Sequence, residues 1–247
     1  MTEINKRLRE AAANGSEAEL KALLREQSCD TLSASKNGMT SLMWAARCGH
    51  EKCVQVLLAK SNALAFDKKG LTALMQAAWL GHEKCVKILL PVSDALGRDE
   101  SELTALMRAA CHGHAACVRL LLPASDAQAK TKSGHTALMW AAGSGVEACV
   151  ALLLPVSDPL NKDDCGMTPL MHAACEGRTA CVRLLLPKSD ALAKDKYGRT
   201  ASRCANDEGH EGLSQFIDAY ALSQTERASI EEAVNYKASR KRVTPRV

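Results

Sequence analysis

The sequence predicts an all-α solenoid of about seven stacked helix–turn–helix repeats, with degenerate capping units at both ends and a C-terminal helical extension. Three observations carry this. Thr40, Thr72, Thr104, Thr136, Thr168 and Thr200 recur at a constant interval of 32 residues. Around them runs Gly-x-Thr-Ala-Leu-Met-x-Ala-Ala-x-x-Gly-His-x-x-Cys-Val-x-x-Leu-Leu, spelled almost completely by residues 70–90. Hydrophobic residues make up 47% of the 247 positions but aromatics only 3%, so small and aliphatic side chains must fill the interior.

Residues 1–36 read as an N-terminal capping repeat. Its Ala11, Ala12, Gly15, Leu20, Leu23 and Leu24 match later units at an offset of 34. Lys6, Arg7, Arg9 and Glu10 give it a polar outer face, as the exposed end of a stack requires.

Residues 37–196 read as five full repeats of two short helices each. In the second of them Thr72 is a natural N-cap. Leu74, Met75, Ala77 and Ala78 then form an apolar face at helical spacing. Gly81 supplies the left-handed residue that ends the first helix. The second helix starts near His82, with Val86, Leu89 and Leu90 inward, and Pro91 ends it early. The link between units reads as an extended arm with Gly70 at its tip. Glu102 breaks the register, standing where other units have Gly38, Gly70, Gly134, Gly166 and Gly198. A positive φ there would strain it.

Residues 197–222 read as the C-terminal capping repeat, where Asn206 and Asp218 replace apolar residues. Ser223-Gln224-Thr225-Glu226 fits a capping box, which predicts a separate helix over 223–236 folding onto the last repeat. Residues 237–247 are basic, polar and contain Pro245, which predicts a disordered tail.

These units resemble ankyrin repeats over about residues 3–221. The family's Thr-Pro-Leu-His becomes Thr-Ala-Leu-Met, with proline kept only in Thr168-Pro169-Leu170-Met171, and Ala-Ala-x-x-Gly-His is matched at 45–50, 77–82 and 109–114. Met75, Met107 and Met139 replace the family's histidine, so its hydrogen bond to the neighbouring turn should be missing. The resemblance implies a concave groove, formed by turn tips and first helices, that grips a protein partner.

The repeat separates scaffold from free positions by internal comparison. The slot after Met holds Trp44, Gln76, Arg108, Trp140, His172 and Cys204. The pair before the glycine includes Arg47, Trp79, Leu80 and His112. Residues following the tip glycine position include Leu71, His135 and Met167. All three tryptophans fall in free slots, and tryptophan is enriched at interface hot spots. The expected partner contacts are therefore Trp44, Trp79, Trp140, Arg47, Leu71, Leu80, Arg108, His112, His135, Met167 and His172. The competing reading packs each tryptophan on its neighbour. The lysines and aspartates at the tips, among them Asp67, Asp99, Asp163 and Asp195, read as a solvated rim.

Chemistry finds little support. Cys53, Cys85, Cys117, Cys149 and Cys181 share one slot as small buried hydrophobes. Stacked helices stand about 8–10 Å apart, beyond the ~7 Å limit for a disulfide. Free thiols point to a reducing, cytoplasmic compartment. Cys111-His112-Gly113-His114-Ala115-Ala116-Cys117 mimics a zinc motif, but His114 and Cys117 already belong to the repeat. No phosphate-binding glycine loop or nucleophile elbow occurs. No catalytic residue, metal or cofactor is expected.

Net charge is +4, yet the five basic residues within 237–247 account for the excess, leaving 27 basic against 28 acidic elsewhere. A nucleic-acid-binding body would be basic. No apolar run reaches membrane-spanning length, and the first residues lack the apolar core of a signal peptide. The expectation is a monomeric, cytoplasmic scaffold or adaptor that binds protein. The alternative is a pathogen effector-like protein that captures a host protein by the same groove, secreted without a classical signal. A metal-binding or thiol-reactive role ranks below both.

Overall fold

In the computed structural model, residues 3–26 and 28–242 are described, those from 227 onward by their backbone. Fourteen α-helices follow one another along the described chain. The first pair is α1 (Glu3–Asn14) and α2 (Glu17–Leu23). The five full units contribute α3 (Ser41–Arg47) and α4 (Glu51–Leu58), α5 (Ala73–Trp79) and α6 (Glu83–Leu89), α7 (Ala105–Cys111) and α8 (Ala115–Leu121), α9 (Ala137–Ser144) and α10 (Glu147–Leu153), and α11 (Pro169–Cys175) and α12 (Thr179–Leu185). The chain closes with α13 (Ala201–Asp207) and α14 (Glu211–Arg242). First helices pack on first helices and second helices on second helices, making two parallel layers.

The repeated residues explain each boundary. The Thr40, Thr72, Thr104, Thr136, Thr168 and Thr200 hydroxyls each accept from the backbone amide three residues on, at 3.3–3.4 Å. Methionine partly replaces the missing histidine: Sδ of Met43, Met139 and Met171 accepts from the cap amide at 3.4–3.5 Å. From α6 to α12, Pro91, Pro123, Pro155 and Pro187 turn the end of each second helix into a short 3-10 turn.

The core is one continuous seam. Leu74, Ala77, Ala78, Val86 and Leu89 are fully sealed, as are their equivalents in each full repeat. Histidine rivets adjacent units: Nε2 of His50, His82 and His114 lies 2.9 Å from the carbonyl oxygens of Ala13, Arg47 and Trp79. Each ring lies against the glycine of the preceding unit, where a Cβ would approach within 2.7 Å or less. Where the sequence replaces histidine by Arg178, its Nε makes the same bond to the Gly143 carbonyl at 3.0 Å.

Three expectations need correction. Arg9 is not part of a polar outer face; it is buried and donates to the Ser33 carbonyl at 3.3 Å. The break expected at Ser223 is absent, because α14 runs unbroken from Glu211 to Arg242. Ser223 and Thr225 instead donate back to the carbonyls of Tyr220 and Leu222, at 2.7 and 2.8 Å, inside that helix. Residues 237–242, expected as disordered tail, are helical, and 243–247 lie outside the described residues.

Candidate functional site: the free-slot face

The tip of each arm is organised by a side chain that sequence reasoning placed in a solvated rim. Asp67, Asp99, Asp163 and Asp195 are buried. In each, Oδ1 accepts from the amides two and four residues on, at 2.8–3.1 Å. Ser35 and Thr131 do the four-residue part of this with a hydroxyl. The carboxylates of Asp67, Asp163 and Asp195 fold the turn that the following glycine, at φ 74–78° in Gly70, Gly166 and Gly198, completes. The spacing of the tip aspartates in multiples of 32, with Thr131 in the intervening position, was the available signal.

With Oδ1 committed to the backbone, Oδ2 faces the slot after Met. Gln76 Nε2 donates to Asp67 Oδ2 at 3.2 Å. Arg108 Nε donates to Asp99 Oδ2 at 2.8 Å, and its Nη2 closes the same ion pair. His172 Nε2 sits 2.9 Å from Asp163 Oδ2. Free-slot residues are thus tied to the tip of their own repeat.

Trp79 lies at the centre of this face, half-buried. The guanidinium carbons of Arg47 and Arg108 stand 5.6 and 5.2 Å from its ring centroid. Its indole N–H donates to His112 Nε2 at 2.8 Å. An indole only donates, so His112 carries its proton on Nδ1 and gives it to the Arg108 carbonyl at 3.1 Å. Arg47 also donates to Gln76 Oε1 at 3.1 Å. Trp44 and Trp79 border a recess of about 370 Å³. Trp140 stacks on His135 with ring centroids 5.1 Å apart.

All three tryptophans pack on the stack and are half-buried, with the Trp140 indole nitrogen buried. Leu80 and His112 are exposed, and Arg47, Arg108, His135, Met167 and His172 are half-buried. Leu71 is corrected: at 2% exposure it belongs to the core and has no surface to offer a partner. Leu32, Leu64, Leu96, Leu160 and Leu192 form an exposed ladder at the inter-unit turns that sequence reasoning did not single out.

The row of Cys53, Cys85, Cys117, Cys149 and Cys181 is buried and unpaired. Burial pushes all five thiols up, those of Cys85, Cys117 and Cys149 to about 11, so they are poor nucleophiles. The segment from Cys111 to Cys117 does not converge: His112 holds Trp79, and His114 holds the Trp79 carbonyl.

The profile described as ankyrin repeats matches three times, over residues 8–99, 92–163 and 148–222. The chain belongs to the ankyrin-repeat family. No curated protein matches the sequence. Among solved structures, the ankyrin repeat domain of human ASB11 superposes with a TM-score of 0.77 at 25% identity, covering 85% of this chain and 96% of that one. Against the ankyrin motif quoted above, the Met-for-His exchange is accommodated without loss of the stack. Among the described residues no helix is long and apolar enough to cross a membrane.

Proposed function

We propose that this ankyrin stack is a protein-interaction module whose partner docks on the free-slot face, with Trp44, Trp79 and Trp140 as anchors and Arg47, Arg108, His112 and Leu80 around them. One observation carries the reading. The scaffold accepts Gln, Arg, His or Cys where Trp44 and Trp140 stand, yet the chain spends its three tryptophans there and at Trp79, each half-buried. Rigid, half-buried aromatics held by neighbouring side chains lose little entropy on binding. The near-neutral body and the absence of a reactive thiol in the cysteine row favour binding over catalysis. Whether the module acts as an adaptor inside its own cell or as an effector that captures a host protein turns on the partner's identity, since both use the same face. Cross-linking capture with wild-type chain and with a W44A/W79A/W140A variant tests the reading. A partner retained by the first and lost from the folded second supports it; equal capture by both refutes it.

A further inference from the structure

The geometry points to a site for a borderline divalent cation, of which zinc is the type, formed by His135, Asp163 and His172. His135 comes from the tip of one repeat, Asp163 from the tip of the next and His172 from α11. One donor atom from each lies within 4.8 Å of the others. His172 Nε2 and His135 Nε2 stand 2.9 and 3.6 Å from the same Asp163 Oδ2. Zinc bonds of about 2.0–2.2 Å place tetrahedral ligands roughly 3.4 Å apart, inside that range. The site goes beyond the docking reading and stands or falls independently of it.

The surroundings orient all three donors. Asp163 Oδ1 is held by the Cys165 and Met167 amides at 2.8 and 2.9 Å, which fixes Oδ2 toward the imidazoles. The Ser133 hydroxyl lies 2.9 Å from His135 Nδ1 and 3.1 Å from Thr131 Oγ1. With the ring proton on Nδ1 given to Ser133, the His135 Nε2 lone pair faces the carboxylate. Such outer partners are what set ligand tautomers in metal sites. In the unloaded site His172 donates its Nε2 proton to Asp163 Oδ2 at 2.9 Å. On binding, it moves its ring proton from Nε2 to Nδ1 and presents the Nε2 lone pair, so charge and protons balance. The carboxylate is 2% exposed while the imidazoles keep 23% and 19%, so the cation enters from the imidazole side and keeps open positions there.

The scaffold does not require this arrangement. The slot of His172 is filled by Gln76 and Arg108 elsewhere, and the tip position of His135 by Leu71 and Leu103. Among the described residues this is the only group of three donors drawn together.

Repeat-derived substitutions supply the test. Calorimetric titration of the reduced full chain with Zn²⁺ is expected to show one equivalent bound, with affinity falling about a hundredfold or more in H135L and in H172Q. Both variants take residues the stack already uses, and circular dichroism checks that they fold. On the wild type, imidazole nitrogen NMR reads the tautomer switch of His172 without any variant. Co²⁺ loading should give ligand-field bands without the thiolate charge-transfer band. No Zn²⁺ bound, binding that survives both substitutions, an unchanged His172 tautomer, or a thiolate band would each overturn the site.

Discussion

The Trp79 indole donates to His112 across a repeat boundary at 2.8 Å, while Arg47 and Arg108 flank the same ring. The central aromatic of the free-slot face is therefore held by side chains from the units on either side of it. Arg108 carries more of this than His112, because it also neutralises the buried Asp99. H112A should cost about 0.5–1.5 kcal/mol, the loss of one half-exposed hydrogen bond. R108A should cost about 2–3 kcal/mol by leaving a buried carboxylate unpaired. Urea unfolding of the two variants checks the order.

Glu102 is the one non-glycine residue with positive φ, at 63°, among the described residues. At Gly38, Gly70, Gly134 and Gly166 an added Cβ would meet the next tip at 2.8–3.0 Å. Those tips are bonded to one another, the amides of Lys68, Glu100, Asp164 and Lys196 donating to the preceding tip at 2.9–3.0 Å. The equivalent bond from the Lys132 amide is absent among the described residues. The Glu102 Cβ accounts for this by holding the tips apart. E102G should raise stability by about 1 kcal/mol and slow hydrogen exchange at Lys132; an unchanged exchange rate would show that the side chain is not the wedge.

Thiol labelling should divide the cysteines by burial. Cys48 and Cys165 are exposed and should react first with a neutral disulfide reagent. The buried row, with thiols pushed up, should react only as fast as the stack opens. Mass mapping of the labelled peptides checks this, and early labelling at Cys117 would contradict the sealed seam.

Acid should weaken the stack through His114. Desolvation lowers this imidazole below 6.5, so the unfolded chain takes up its proton at higher pH than the folded one. Stability is then fully present above 6.5 and is lost as pH falls from there through the folded value. H114V, with the residue that follows Gly145 in another unit, removes this proton linkage. Its stability should depend less steeply on pH than the wild type between about pH 7 and 5; parallel curves would exclude His114 as a source.

Much of this was legible in the residues because each repeat is a copy of the others. The Thr caps and the helix-ending glycines recur, each for a local reason visible in one unit, whereas the recurring His82-type residues bond the preceding unit and show their role only in the stack. The tip aspartates recur too, but Asp67 sits beside Lys68 and Lys69, and a charged cluster reads as solvated when no backbone shows two amides aimed at it. Leu71 was misplaced for the related reason that a residue beside a turn glycine looks exposed until the arm is seen to fold back on the stack. The convergence of His135 with His172 depends on stacking one tip above the next, a distance that linear spacing does not encode. At the C-terminus the capping signal at Ser223 lost to continuation of an established helix, which adds a backbone bond per residue without a new nucleus.

The most direct test of docking on the free-slot face is the affinity of a captured partner for the wild type against W44A/W79A/W140A, at equal folded fraction by circular dichroism. Hot-spot anchors at about 2 kcal/mol or more each predict a loss beyond a hundredfold. An affinity within a factor of about three of the wild type, a difference under 1 kcal/mol, would place the partner elsewhere on the stack.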